Sequence, residues 1–371
     1  MGVRPKVVIV LGMHRSGTSL AAEMLVRLGA HTRARLLEPN KSNERGYWED
    51  ADVVDLHDSI FATLERPWGD WSAILPLTSG WPEHPAVLPF RRRLEKLISS
   101  TLDSATGPWM FKDPRLCRLL PLWRAIAQDL DFDLSAVLSV RSPKSVAASL
   151  AARDKIPVSL GRLLWLVHYL DCCRFGADLI QTCVSYDRWF TEPENQALAL
   201  ASAAGFTAPA AFVKETALSV VSEALRHQPP SDEGEGSIED VFHDLHGWAV
   251  TGLPPATLTA RLGAAESMLK EVHAWIGTTG GPQFDYLGSM MKAEEYRRAY
   301  QASAALNVKL RGRADEYRVA YQTSAAKNEG YRAAYQASAD RCRELERLIG
   351  RMERPLRLLQ TIRTSLKAAA G

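Results

Sequence analysis

Gly12-Met13-His14-Arg15-Ser16-Gly17-Thr18-Ser19 is the first stretch in which residue types and spacing point to chemistry. Two glycines, an arginine and two adjacent hydroxyl residues make a short turn whose backbone N–H groups can surround a phosphate-like anion. The spacing fits the Walker A pattern at Gly12, Gly17 and Ser19, but Thr18 stands where that pattern has lysine, and Arg15 is the nearest cation. That departure argues against an ordinary nucleotide triphosphatase. A tight turn without a ligand is the plainer alternative. Arg141 with Ser149 can serve similarly, the alternatives being a helix-cap charge and an ordinary helix serine. A guanidinium forks onto phosphate oxygens with two parallel hydrogen bonds, and a hydroxyl adds a donor. Lys112-Asp113-Pro114-Arg115 is the third group, two cations flanking a carboxylate. Arg115 there either clamps an anion or pairs with Asp113.

These residues need elements to hold them. Val7 to Leu11 is an unbroken apolar run, the mark of a buried parallel strand. A helical pattern follows from Thr18 to about Leu28, closed by Gly29. The first loop therefore lies between a strand and a helix N-terminus, where backbone and dipole both favour an anion. Trp109 to Phe111 reads as a short strand that Pro114 ends, and Leu119 to Asp129 as a helix. Ala136 to Val140 is the strand before Arg141. Ser159 to Ile180 reads as a largely apolar helix carrying His168, a packed histidine, and Thr182 to Asp187 as another strand. A lysine, aspartate and arginine at a parallel strand end sit where open α/β sheets place ligand groups.

Gly12 to Leu20 resembles the 5'-phosphosulfate-binding loop of sulfotransferases that use 3'-phosphoadenosine 5'-phosphosulfate (PAPS), in the Arg-Ser-Gly-Thr variant similar to Golgi carbohydrate enzymes. Ala136-Val-Leu-Ser-Val-Arg141-Ser-Pro-Lys-Ser-Val-Ala-Ala-Ser149 resembles the same family's second site, a strand followed by the arginine and serine that hold the 3'-phosphate. The likeness runs mainly from Val7 to about Ser149, and more weakly to about His227. It implies a three-layer α/β, P-loop-like fold with a central parallel sheet, to which this chain adds an α-helical C-terminal extension. It implies a cofactor, PAPS, held by Gly12, His14, Arg15, Ser16, Gly17, Thr18, Ser19, Arg141 and Ser149, and no metal. Lys112 matches the family lysine that approaches the bridging oxygen and stabilises the leaving phosphate, with Arg15 stabilising charge beside it. The family's downstream histidine and its Arg-Lys-Gly loop are absent, and Arg226-His227 is a weak substitute for the loop.

In-line attack by a hydroxyl on sulfur requires a group that takes the proton. The resemblance places the acceptor pocket in the polar stretch Leu36 to Asp50. Glu49 is the first choice for the base, followed by Asp50, Glu44 and His14. An acidic residue at the start of the helix expected from about Asp52 to Leu64 has another role open to it, stabilising the helix dipole. Trp68, Trp71 and Trp81, in a Gly- and Pro-bearing region, either stack on a sugar ring or cover a small core, and core is favoured. Phe90 to Leu102 reads as an amphipathic helix whose Arg91, Arg92 and Arg93 are solvated, with contact to an acidic glycan as the lesser reading. Tyr186 is either core or a cofactor contact.

With 371 residues, 46% hydrophobic and 24% charged, the chain has room for one sizeable domain and appendages. Its five cysteines form neither a disulfide framework nor a zinc spacing, and no window resembles a signal peptide or spanning helix. A cytoplasmic enzyme is expected. The domain reading is 1–228 for the sulfotransferase domain, 229–240 for an acidic linker and 241–290 for a helical region with His243 and His246 on its surface. A heptad-repeat helix at 291–350 and a basic amphipathic tail at 351–371 complete it. The tail region repeats Tyr-Arg-x-Ala-Tyr-Gln-x-Ser-Ala from Tyr296, Tyr317 and Tyr331, with offsets that are multiples of seven. Such a stripe stays on one face if the helix supercoils against a partner, so a homo-oligomer or partner helix is expected, with a single helix folded back on the catalytic domain as the rival. From Met291 onward 17 basic residues face 9 acidic ones, which leaves 28 against 34 in the remainder. The basic end fits peripheral contact with anionic lipid at the inner membrane face, or equally a solvated helix end. Nucleic acid is not expected, because the basic residues are not interleaved with stacking aromatics. The leading function is sulfuryl transfer to a hydroxyl, on a carbohydrate. The rivals are a nucleotide-dependent kinase on the related phosphate-loop fold and a non-catalytic scaffold acting through the tail.

Overall fold

The computed structural model describes residues 4–39, 43, 45–102, 107–221 and 236–279, with four single positions beyond (312, 341, 343 and 344). Glu44, Arg226-His227, most of the acidic linker, the heptad repeat apart from those four positions, and the basic tail lie outside the described residues. The chain divides into two compact units, Met1–Trp275 and Ile276–Gly371. All the residues that could do chemistry belong to the first.

Four strands, β1 (Lys6–Leu11), β2 (Trp109–Lys112), β3 (Asp133–Val140) and β4 (Ile180–Ser185), form one parallel sheet in the order β2-β1-β3-β4. Its register pairs Val10 with Lys112, Leu11 with Leu138, and Val140 with Ser185. All strands therefore finish at the same edge, and the loops after them share one end of the sheet. The first strand lies between β2 and β3, so the connections leave it in opposite directions. A crevice outside the strand ends is expected at such a reversal.

Helices cover both faces, giving the three layers that the sequence implied. Residues alternate across a strand, and Val8 and Val10 pack with Leu20, Met24 and Leu25 of α1 (Thr18–Arg27), Leu200 of α7 (Pro193–Ala203) and Val213 of α8 (Ala210–Val220). The opposite face meets α4 (Leu116–Asp129) and α6 (Val158–Gly176), where an added Cβ on Gly176 would touch Leu120 and Leu11. Between β1 and β2 run α2 (Ala51–Thr63) and α3 (Leu88–Leu102), and α5 (Pro143–Asp154) follows β3. Among the described residues no helix is long and apolar enough to cross a membrane.

Tertiary contacts correct the sequence reading in four places. The helix expected to reach Ile180 stops at Gly176, because Ile180 opens β4 after a turn closed by Leu179 N–H on the Gly176 carbonyl (2.9 Å). The acidic linker's last residues are helical: α9 (Ser237–Thr251) begins inside it and packs on β4 within the first compact unit. Its Glu239 is buried against Arg162. His246 is half-buried rather than superficial, with Nδ1 3.1 Å from Ser185 Oγ, while His243 is exposed. Arg91 is not simply solvated, since it forks between Glu83, Glu95 and Asp129. The last described helix, α10 (Leu258–Thr279), ties back through His273, whose Nε2 lies 2.9 Å from the Ile74 carbonyl.

Candidate active site

The loop after β1 owes its shape to two glycines. Gly12 has φ +139°, and a Cβ there would come within 2.4 Å of the Ser139 carbonyl oxygen. Gly17 has φ +91°, and its Cβ would meet the Tyr186 ring at 2.8 Å. Only glycine relieves both the conformation and the crowding. Between them Ser16 folds inward: its N–H (3.2 Å) and its hydroxyl (2.5 Å) both donate to the Met13 carbonyl, and its own carbonyl accepts from Ser139 Oγ (2.8 Å). Gly12 N–H donates to Cys117 Sγ (3.1 Å). Gly12 and Ser16, expected as cofactor ligands, thus shape the loop, and neither lines the cavity.

Gly17 is the N-cap of α1, which has no side-chain cap and no acidic residue in its first turn. This positive helix end opens, through Gly17, Thr18 and Ser19, on a cavity of about 370 Å³ at the strand ends. His14 and Arg15 line it from the loop, Lys112 and Arg115 from the end of β2, Arg141 and Tyr186 from the ends of β3 and β4. Arg15 adopts φ +67° and donates from Nε to Ser149 Oγ on α5 (2.9 Å). Arg141 donates from Nη1 to the Arg15 carbonyl (3.1 Å) and stacks on the Tyr186 ring, 4.0 Å from its centroid. Burial, then Arg153 and Arg141, lower the Arg15 pKa from its ordinary value. Arg15, Arg141 and Ser149, separated by more than a hundred residues in the chain, are thus in direct contact.

Glu49 and Lys112 form a buried ion pair, Nζ to Oε1 2.5 Å, with side chains 6% and 3% exposed. Lys112 Nζ also lies 3.4 Å from Ser19 Oγ, and Arg115 lies 4.0 Å from Glu49 Oε2. Burial raises the Glu49 carboxyl above its ordinary value against the pull of Lys112, which strengthens it as a proton acceptor. Asp50, the second choice for a base, is the N-cap of α2: it accepts from the N–H groups of Asp52 (2.9 Å) and Val53 (3.0 Å) and pairs with Arg33 (2.8 Å). The capping role belongs to Asp50, and Glu49 faces the cavity instead. Trp48, at φ +58°, makes the backbone turn just before it.

Arg115 pairs with carboxylates, as one reading expected: its Nη1 donates to Asp113 (3.0 Å) and its Nε to Asp58 (2.6 Å). Asp113 in turn takes His57 Nδ1 (2.8 Å), and Trp123 Nε1 donates to His57 Nε2 (3.0 Å). Despite burial, Arg115 and His57 hold the Asp113 carboxyl well below the usual carboxylate range. This buried chain fixes the Arg115 head beside Glu49.

Sequence reasoning missed several lining groups. Trp68, favoured as core, faces the cavity and lies against His14, whereas Trp81 is buried as expected. Arg153 and Asp154 line the cavity from the last turn of α5. Arg153 is one helical turn beyond Ser149, a spacing that could have revealed it. Arg45 lines it too, tied to the buried Glu23 of α1 and to the Val220 carbonyl (2.5 Å). Tyr186 is buried, as its core reading expected, and lies beneath Arg141. His168 is packed, donating from Nδ1 to the Leu164 carbonyl (2.7 Å).

Among solved structures, the chain is similar to the sulfotransferase domain from the Synechococcus PCC 7002 olefin synthase. The likeness has 15% identity and a TM-score of 0.39, over 72% of this chain and 96% of that one. No protein-family model matches the chain, and no curated protein does.

Proposed function

We propose that this chain is a sulfotransferase that moves a sulfuryl group from PAPS to a hydroxyl, on a carbohydrate acceptor. The observation that carries the reading is the convergence, in one cavity, of an uncapped helix N-terminus, the linked pair Arg15 and Arg141, and a buried Lys112–Glu49 pair. A cavity of about 370 Å³ is in the range of small-molecule sites. Its lining fits an anionic nucleotide. The donor set carries the fit: the N-terminus of α1 at Gly17, the Thr18 and Ser19 hydroxyls, and the Arg15 and Arg141 guanidiniums all face the cavity.

Thr18, Ser19 and the Arg15 guanidinium would hold the 5'-phosphosulfate, and Arg141 with Ser149 the 3'-phosphate. Ser149 Oγ accepts from Arg15 and keeps its own hydrogen to donate. When bound, PAPS supplies an activated sulfuryl group. Glu49 Oε2, the oxygen not bonded to Lys112, accepts the proton of the attacking hydroxyl. Lys112 Nζ, already between Glu49 and Ser19, supplies positive charge where the phosphate leaves. Arg115, held by Asp58 and Asp113, orients Glu49 without competing for its proton.

The test is calorimetric titration of the full chain with adenosine 3',5'-bisphosphate, beside ATP with magnesium, in wild type and Arg141→Ala. Removal of a bidentate phosphate contact is expected to weaken bisphosphate binding by about thirtyfold or more. Preference for ATP with magnesium would establish the kinase instead, and binding of neither would point to the scaffold.

A further inference from the structure

One end of the cavity is left over when the donor groups are assigned. There the Trp68 and His14 rings lie 4.2 Å apart between centroids, their planes inclined by 39°, and both line the cavity. Trp68 also meets His168, ring centroids 6.3 Å apart and planes at 89°. It is a pre-positioned aromatic plate rather than a loose loop residue. His14 Nε2 beside it is buried and has no protein partner. Burial, and then Arg115, hold the imidazole well below its ordinary pKa, so it offers a neutral hydrogen-bonding group.

The charges at this end are already matched. Arg115 is paired with Asp58 and Asp113. Arg153 is paired with Asp154 through two contacts, 2.7 and 2.6 Å. An anionic acceptor would compete with three carboxylates for these two guanidiniums and would bring negative charge beside Glu49. An apolar phenol would lie on the indole but leave His14 Nε2 without a partner, a desolvated polar group.

We propose that Trp68 and His14 form the acceptor subsite, and that it takes an uncharged, polyhydroxylated ring, its apolar face on the Trp68 indole and a hydroxyl on His14 Nε2. This assignment rests on the sulfotransferase reading and adds to it the charge class of the acceptor. His14 then serves the acceptor and not, as its place in the loop implied, the donor.

The experiment is transfer of radiolabelled sulfuryl from PAPS by the full chain into three probe sets at equal hydroxyl concentration. These are neutral malto- and cello-oligosaccharides, oligogalacturonates, and 2-naphthol. Bisphosphate binding is measured by calorimetry on the same samples. Label is expected in the neutral set. Trp68→Ala and His14→Ala should each lower kcat/KM about tenfold, mainly through KM, because each removes one ground-state contact. Trp68→Phe and His14→Gln should recover most of it, which a variant that merely failed to fold would not, and bisphosphate affinity should hold within about twofold throughout. Preferential labelling of oligogalacturonates or naphthol, no label in the neutral set while the bisphosphate binds, or unaffected variants would overturn the subsite. Failure of the wild type to bind the bisphosphate would refute the sulfotransferase reading itself, and the subsite with it.

Discussion

Lys112→Met tests the centre of the site most directly. Lys112 and Glu49 are nearly inaccessible and 2.5 Å apart. Removing one partner of such a pair costs about 3–5 kcal/mol, because the other charge is left buried. Arg115, still 4.0 Å from Glu49 Oε2, places the expected loss near the lower bound, about 3 kcal/mol at pH 8. Glu49 has one escape, which is to take up a proton. Its carboxyl pKa in the folded variant then lies further above the unfolded value, so the penalty is complete at alkaline pH and fades as pH falls towards the carboxylate range. By linkage the loss shrinks as pH falls from 8 to 5. Urea unfolding followed by tryptophan fluorescence, with wild type and variant compared at each pH, measures the loss and its pH dependence. Adding Glu49→Gln to Lys112→Met should restore stability at pH 8, because the stranded charge is gone. A loss below about 1 kcal/mol at pH 8 that does not change with pH would refute the claim that the two side chains are a buried, mutually dependent ion pair.

Three further variants test the packing elsewhere. Gly12→Ala should destabilise the chain by about 3 kcal/mol or more, since its Cβ would press on the Ser139 carbonyl at φ +139°. Gly263→Ala, in α10 with nothing within 4 Å, should stabilise it by about 0.5–1 kcal/mol, and thermal unfolding of the two variants should show these opposite signs. His168 is held at a pKa of about 3 by burial and then by Arg118. The unfolded chain therefore binds more protons between that value and about 6.5, and stability falls as pH drops through this window. Between pH 6.5 and 4.5 wild type should lose about 2 kcal/mol more than His168→Gln in urea titrations, and equal losses would show that the ring is not a neutral, buried group.

Much of the sheet was legible because strands and helices announce themselves through near neighbours. The apolar run of β1 and the glycines around the loop each appear within a few residues, and so does the strand before Arg141. Boundaries failed where a tertiary contact overrode the local pattern. The clearest case is α9, which starts inside a stretch whose composition reads as linker. Its Glu239 looks like a solvated charge in the sequence and is instead buried against Arg162.

The site divides in the same way. Residue types and spacing by themselves determined that Arg15 would lie in a turn between a strand and a helix, that Arg141 would follow a strand with Ser149 on the next helix, and that Lys112 would stand at a strand end. Only the tertiary structure decided which of two adjacent carboxylates caps α2 and which pairs with Lys112. It also decided that Ser16 turns inward, that Trp68 faces the cavity beside His14, and that Arg115 and Arg153 arrive already neutralised. The reason is physical. Helix and strand periods encode neighbours a few residues apart, whereas burial, ion pairing and an unpartnered ring nitrogen depend on groups that only the folded chain brings together.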